Sequence, residues 1–188
     1  MFERFTKDAR AVVQSAVGHA ERSGAQSVEA EHLLLALLDR DGSRGSFALA
    51  SLGLVGERKE SVRGAVAEAR RRAGLSQAEA DALAGLGIDV SEIIARVEEV
   101  HGVGAMSGDH KEKGWWSGRR PFSRGAKDVL VTALRTAIAR SGRHVGDEHL
   151  LLALTLRPGV PAEILTDHGV THESLTRVLY GGGEAKAG

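Results

Sequence analysis

The 188-residue chain contains no cysteine, three prolines and few aromatic residues. Without cysteine it can form no disulfide framework, no thiol nucleophile and no cysteine-type zinc site. It also lacks an excess of charge, because 25 Lys and Arg residues balance 25 Asp and Glu residues. Balanced charge gives no bulk attraction to nucleic acid or to anionic membranes, so we expect neither as the main partner.

Long apolar runs are missing as well. No segment approaches the roughly 18 apolar residues that cross a bilayer, and the first six residues lack the apolar core of a signal peptide. We therefore predict a cytoplasmic protein. No phosphate loop of the G-x-x-x-x-G-K-[ST] type, no Ser–His–acid order and no paired carboxylate site stands out. We expect no nucleotide, no cofactor and no catalytic residue.

The feature that is present is an internal repeat. Shifted by 117 positions, the sequence matches itself at 15 of the positions from 5 to 42 without a gap. The longest shared run places residues 31–37 on residues 148–154, and both read Glu-His-Leu-Leu-Leu-Ala-Leu. Beyond this region the register slips by one residue. A repeat of this kind predicts two copies of one structural unit.

Each copy has the pattern of a small helical bundle. In its first helix, apolar residues recur at the spacing of one helical face. Thr6 and Ser123 are suitable N-caps, and Gly24 and Gly142 are suitable stops. A buried, leucine-rich second helix is predicted over 29–40 and 147–156. A third helix is predicted over 47–52, and a fourth from Glu57 and over 172–180.

These elements predict an all-α fold in which two pseudo-symmetric four-helix repeats pack as one domain, because each copy is too small to bury its own faces. The predicted divisions are 1–73 (first repeat), 74–120 (insertion and linker), 121–180 (second repeat) and 181–188 (tail). In the insertion we predict a short helix, a turn at Gly87 and an amphipathic helix ending near His101. A Gly-rich linker containing Trp115-Trp116 follows.

Three segments carry a resemblance to a known family. The first six residues, the two Glu-His-Leu-Leu-Leu runs and residues 121–127 resemble the paired N-terminal repeats of Clp ATPases, above all of the ClpC type. The insertion resembles the extra segment of short actinobacterial Clp-N proteins that lack ATPase modules. The resemblance implies a non-catalytic accessory module that binds proteins or peptides, such as substrates, adaptors, or Clp ATPase and protease components.

The resemblance also implies a site in each repeat. In the family, the glutamate of the Glu-His pair binds phosphoarginine, which points here to Glu31 and Glu148. A carboxylate suits the guanidinium group, and a helix N-terminus suits the phosphate. The family's preceding threonine is replaced by Ala30 and Asp147; alanine offers no donor, and an ionised aspartate would repel a phosphate. The alternative is that both glutamates only favour the positive helix end.

A second implied site is a groove between the first helices of the two repeats, which cyclic-peptide antibiotics bind in the family. Phe2, Val13, Phe122 and Lys127 retain the family's residue types. Nearby polar positions of the family have become Val17 and Val131, so an apolar groove of altered polarity is expected. The alternative is that the two phenylalanines only close the bundle.

Other residues have simpler interpretations. We interpret His32 and His149 as hydrogen-bonded core histidines rather than metal ligands. His168, His172 and Glu173 have a metal-like spacing, but Gly169 interrupts it, so we predict no metal site. Trp115-Trp116 either folds back onto the bundle or anchors a partner. A second functional hypothesis is a regulator that contacts nucleic acid through its basic clusters, residues 70–72 and 119–120.

Overall fold

The computed structural model describes residues 2–72, 74–101, 120–140 and 142–181. These residues form ten α-helices and no strand, as the sequence predicts. After a 3-10 turn at Phe2–Arg4, the first repeat contains α1 (Lys7–Arg22), α2 (Ala30–Leu38), α3 (Arg44–Ser51) and α4 (Glu57–Arg71). Then follow α5 (Gln77–Gly85) and α6 (Val90–His101), and the second repeat contains α7 (Arg124–Ala139), α8 (Asp147–Leu156), α9 (Val160–Asp167) and α10 (His172–Tyr180).

The predicted caps of the first helix in each repeat are confirmed. The Thr6 hydroxyl accepts a hydrogen bond from the Ala9 N–H at 3.2 Å, and the Ser123 hydroxyl accepts one from the Ala126 N–H at 3.2 Å. Each bond satisfies a donor that has no partner within the helix. At the other end of α1, Gly24 has a φ of 71°, a left-handed conformation that favours glycine.

The predicted start of the third helix is wrong by three residues, because α3 begins at Arg44 rather than at residue 47. Ser43 and Ser46 form a reciprocal cap: the Ser43 hydroxyl accepts from the Ser46 N–H, and the Ser46 hydroxyl accepts from the Ser43 N–H. Phe47, at which the sequence places the start, is 66% exposed. The cap, not the aromatic residue, determines where this helix begins.

The second helices of the two repeats occupy the centre of the molecule. α2 packs on α1, α8 packs on α7, and α2 and α8 contact each other. Leucines of both helices are completely buried, and the core that they form extends through both repeats. This arrangement removes apolar surface that neither repeat could bury alone.

Backbone hydrogen bonds also join the repeats in two symmetric places. Residues 4–6 pair with Val145: the Thr6 N–H donates to the Val145 carbonyl at 2.9 Å, and the Val145 N–H donates to the Arg4 carbonyl at 2.7 Å. Val28 is bonded in the same way to residues 121 and 123. In each repeat, the segment before the first helix is thus bonded to the segment before the second helix of the other repeat. We call these four bonds the reciprocal clasp.

The insertion forms the predicted pair of helices, α5 and α6, with a turn at Gly87. It adds little to the core: α5 buries no residue, and α6 buries Ile94. Most of the predicted linker, including Trp115-Trp116, lies outside the described residues, as does the tail after residue 181. The domain boundaries stay a prediction.

Candidate functional site

A cleft of about 330 Å³ lies where the two repeats meet at the N-terminus of α8. The reciprocal clasp brings Thr6 of the first repeat to this place, and α3 contributes Arg44. The second repeat contributes the loop before α8, the first turn of α8, Arg140 and Tyr180. The cleft therefore requires both repeats, which agrees with the prediction that they pack as one domain.

The Asp147 carboxylate lines the cleft but is held by the other repeat. Its side chain is buried and accepts hydrogen bonds from the Ser43 hydroxyl at 2.5 Å and from the Gly45 N–H at 3.1 Å. Asp147 therefore caps the N-terminus of α3 in the other repeat, where a negative charge is favourable. The sequence predicts that Asp147 repels a phosphate. In the structure, the same carboxylate forms a contact between the two repeats.

Glu148 lies at the base of the cleft, with a side chain that is only 5% exposed. One carboxyl oxygen is 3.3 Å from the Arg44 guanidinium. The carboxyl group folds back over Gly146, so closely that a Cβ atom at that position would be 1.9 Å from its second oxygen. Burial raises the pKa of Glu148, and the charge of Arg44 opposes this rise.

The opposite wall of the cleft is formed by Arg140 and Tyr180. The guanidinium carbon of Arg140 is 3.8 Å from the centre of the Tyr180 ring, a favourable cation–π distance. The Tyr180 hydroxyl is buried and has no hydrogen-bond partner among the described residues. Burial raises its pKa, so it stays a neutral donor at pH 7. Together the cleft offers a buried carboxyl, two guanidinium groups and an unused hydroxyl.

The equivalent glutamate of the first repeat has different surroundings. Glu31 is half-buried on the first turn of α2, and burial raises its pKa. Its neighbour Ala30 has no side chain that could reach another helix, and Glu29 occupies the position of Gly146. No ion pair of Glu31 is formed within the described ranges. The two glutamates that the resemblance treats alike therefore do not form equal sites.

The predicted groove residues differ in accessibility. Val13 is 7% exposed and belongs to the core, so it has little surface to offer a ligand. Phe122 is half-buried and packs against the core, whereas Lys127 is exposed. Phe2 lies in the 3-10 turn, and its side chain lies outside the described part of the chain. Val17 and Val131 are both half-buried.

Both core histidines are hydrogen-bonded, as predicted. The Nδ1 atom of His32 accepts from the Glu29 N–H at 2.9 Å, and that of His149 accepts from the Gly146 N–H at 3.0 Å. His168 and His172 contact hydroxyl or carbonyl oxygens of neighbouring residues. Across the described ranges, no three His, Asp or Glu side chains are grouped to hold a metal ion.

Sequence reasoning missed most residues of the cleft, among them Thr6, Arg44, Arg140 and Tyr180. Thr6 was recognised only as a helix cap. The others have no counterpart in the repeated pattern, and their positions depend on how distant helices pack.

The described helices also include none that is long and apolar enough to cross a membrane.

Comparison with known proteins agrees with this fold. Residues 4–81 match the sequence model of the Clp repeat (R) N-terminal domain. The chaperone protein ClpC1 of rice chloroplasts is 29% identical over 187 residues, which are 98% of this chain and 16% of that protein. The chain thus spans about one sixth of the length of the curated relatives that it matches.

Two solved structures share the architecture. The N-terminal domain of the chaperone ClpD from Arabidopsis thaliana superimposes with a TM-score of 0.51 at 20% identity, covering 95% of this chain and 96% of that domain. A protein from structural investigations of a malarial protein secretion system gives a TM-score of 0.61 at 17% identity, covering 97% of each chain. At these identities the likeness concerns the fold alone.

Residues 4–81 therefore match the Clp N-terminal repeat family, and the similarity to Clp relatives extends over nearly the whole chain. Domains of this family are non-catalytic, and the 188 residues contain none of the ATPase parts of their relatives. Its relatives are Clp chaperones and ATP-binding subunits of Clp proteases.

Proposed function

We propose that this domain docks peptides of Clp substrates in the cleft at Glu148, and that phosphoarginine is the side chain it accepts there. The observation that carries the proposal is the mixed charge of the cleft. Phosphoarginine has a guanidinium group beside a phosphate, so its site needs an acceptor and cationic donors within a few ångströms of each other.

Glu148 and the two arginines supply that combination. The Glu148 carboxyl, released from Arg44, accepts the ligand's guanidinium N–H groups. Arg44 and Arg140 then donate to the phosphate oxygens, together with the N–H groups at the start of α8. The side chain of Arg44 is 63% exposed, so it can move toward a ligand at little cost.

The Asp147 carboxylate accepts two hydrogen bonds at α3, which partly offset its repulsion of a phosphate. Glu31 is a weaker candidate, because it forms no ion pair among the described residues, and the arginine whose charge acts on it, Arg70, is hydrogen-bonded to His32. The groove near Phe122 and Lys127 is a separate candidate site for cyclic peptides, supported by the resemblance and by the exposure of Lys127.

The test is a calorimetric titration with a phosphoarginine peptide, its unphosphorylated twin and a cyclic peptide of the ClpC-binding type. We expect binding of the phosphopeptide alone. Glu148→Gln should weaken it about tenfold or more, because a charge-assisted bond is lost. The matched variant Glu31→Gln, at the same position of the other repeat, should leave it within about twofold.

Other outcomes would contradict parts of this proposal. Equal loss from both variants would mean that the two glutamates are equivalent sites. Binding of the cyclic peptide alone would place the function in the groove. If none of the three ligands binds to a protein that circular dichroism shows to be folded, then only the fold is shared with Clp docking domains.

A further inference from the structure

The insertion hairpin, which we define as residues 75–101, presents apolar side chains to solvent. Leu86 is 77% exposed and Val100 is 74% exposed, and Ile88 and Ile93 are also exposed. On α6, Ile93, Val97 and Val100 are spaced i, i+4 and i+7, so they share one face of the helix. Leu86 and Ile88 lie on the turn that precedes this helix. An exposed apolar strip of this kind marks an interaction surface.

The hairpin projects from the core instead of contributing to it. Ile94 is its one buried apolar side chain within the described residues, and it does not belong to the core that joins the repeats. Its attachment includes a hydrogen bond from the Ala78 N–H to the Glu163 carboxylate at 3.2 Å. The exposed strip is therefore not needed to hold the two repeats together.

The charge of the hairpin is strongly one-sided, although the whole chain is neutral. It contains six acidic residues and one arginine, a net charge of 1 − 6 = −5. The arginine, Arg96, is already paired with Glu92 at 2.5 Å. The acidic residues are Glu79, Asp81, Asp89, Glu92, Glu98 and Glu99. An apolar strip with acidic surroundings is complementary to a segment that combines apolar and basic side chains.

We propose that the insertion hairpin is a docking surface for a basic amphipathic segment of a partner protein. Apolar side chains of the partner cover Leu86, Ile93 and Val100, and its Lys or Arg residues face the acidic side chains. The charge argues against the other occupants. Anionic lipid repels such a surface, and two hairpins facing each other would place −5 against −5. This site lies apart from the Glu148 cleft and does not depend on it.

The experiment uses the whole chain and a defined probe. A fluorescein-labelled 18-residue peptide of Leu and Lys, with Leu at the spacing of one helical face, is titrated by fluorescence anisotropy. Its twin has Glu in place of Lys. We expect saturable binding of the Lys peptide only, weakening several-fold as NaCl rises from about 50 to about 500 mM.

The variant Leu86→Ser/Ile93→Ser/Val100→Ser should weaken this binding about tenfold or more. Glu92→Lys/Glu99→Lys should weaken it as well and reduce its dependence on salt. The matched control is Phe47→Ser/Ile138→Ser, which removes apolar side chains of 66% and 53% exposure from other helices. It should leave the affinity unchanged within about twofold.

Three results would overturn the proposal. The first is absence of binding by the Lys peptide, and the second is equal binding by the triple serine variant. The third is self-association of the unmodified chain in analytical ultracentrifugation that the triple serine variant abolishes, since a second copy would then be the occupant. All replaced side chains are exposed, so circular dichroism should confirm that each variant folds.

Discussion

The N-termini of α2 and α8 have the same Glu-His-Leu-Leu-Leu sequence but very different surroundings. In both helices the histidine accepts a hydrogen bond from the backbone three residues earlier, and all leucines of the run except the half-buried Leu35 are buried. The differences lie at residues that the repeat does not share. Gly146 leaves space for the Glu148 carboxyl where the first repeat has Glu29. The repeated motif therefore determines the packing, and the residues beside it determine the chemistry.

The third helices show the same contrast. α3 receives a buried carboxylate from Asp147, which caps it across the interface between repeats. In the second repeat, α9 begins at Val160 and has Pro161 in its first turn. Proline has no N–H group, so fewer donors need a partner there. The corresponding residue of α2 is Ala30, which supplies no cap. The start of α3 is thus capped by the other repeat, whereas Pro161 of α9 itself reduces the number of donors that need a partner.

The largest predicted effect comes from removing the cap across the interface. Asp147→Ala should lower the free energy of unfolding by about 3 kcal/mol, because the Ser43 hydroxyl and the Gly45 N–H lose a charged acceptor and stay buried. Urea unfolding measures the change. Ser43→Ala should cost about 1 kcal/mol, and the double variant should cost less than the sum. A loss below about 1 kcal/mol for Asp147→Ala would show that this contact is not an important difference between the repeats.

The second prediction concerns pH. Burial, reinforced by the charge of Arg70, lowers the pKa of His32 to about 4. Between this pKa and the ordinary value of 6.5, the unfolded chain binds a proton that the folded chain does not. This contribution to stability is therefore complete above about pH 6.5 and is lost as the pH falls toward 4.

The neutral variant His32→Asn removes this titration. Relative to it, the unmodified chain should lose about 2 kcal/mol of unfolding free energy between about pH 7.5 and about pH 5. Burial also lowers the pKa of His149, so His149→Asn should change the pH profile in the same direction. Urea unfolding at both pH values measures the two contributions. Parallel profiles for His32→Asn and the unmodified chain would rule out a neutral, buried His32.

The smallest predicted effect tests the space beside Glu148. Gly146→Ala places a Cβ atom where the Glu148 carboxyl lies, so the carboxyl must turn away from Arg44. We expect a loss of about 1 kcal/mol in unfolding free energy. Gly64→Ala is the matched control, since its Cβ would meet no atom within 4 Å. That change should stabilise α4 by about 0.5–1 kcal/mol, because alanine is the better helix former. If Gly146→Ala and Gly64→Ala change the free energy of unfolding equally, then Gly146 is not needed to leave space for the Glu148 carboxyl.

Much of the fold could be predicted because its signals are local. The caps at Thr6 and Ser123, the stop at Gly24 and the buried leucine runs each depend on a few neighbouring residues. The start of α3 was predicted three residues late because the reciprocal cap formed by Ser43 and Ser46 was not recognised.

The cleft could not be predicted in the same way. Arg44 comes close to Glu148 because α3 packs on α8. Thr6 lines the same cleft because the reciprocal clasp holds it there. Arg140 and Tyr180 come together from the ends of two separate helices. Helical periodicity contains no information about such contacts between distant parts of the chain. The direction of the Asp147 side chain, toward α3, was equally hidden, because it depends on a serine more than one hundred residues away.

The reciprocal clasp affects how this protein folds during its synthesis on the ribosome. The segment before α1 finds its hydrogen-bond partner only when Val145 has been translated, and Val28 must wait for Pro121. At a synthesis rate of roughly 5–20 residues per second, the first repeat stays incomplete for several seconds or longer. During that interval its leucines lack the cover of α8 and are exposed to aggregation or to chaperones. A chain released before residue 145 should therefore be an early target of cellular quality control.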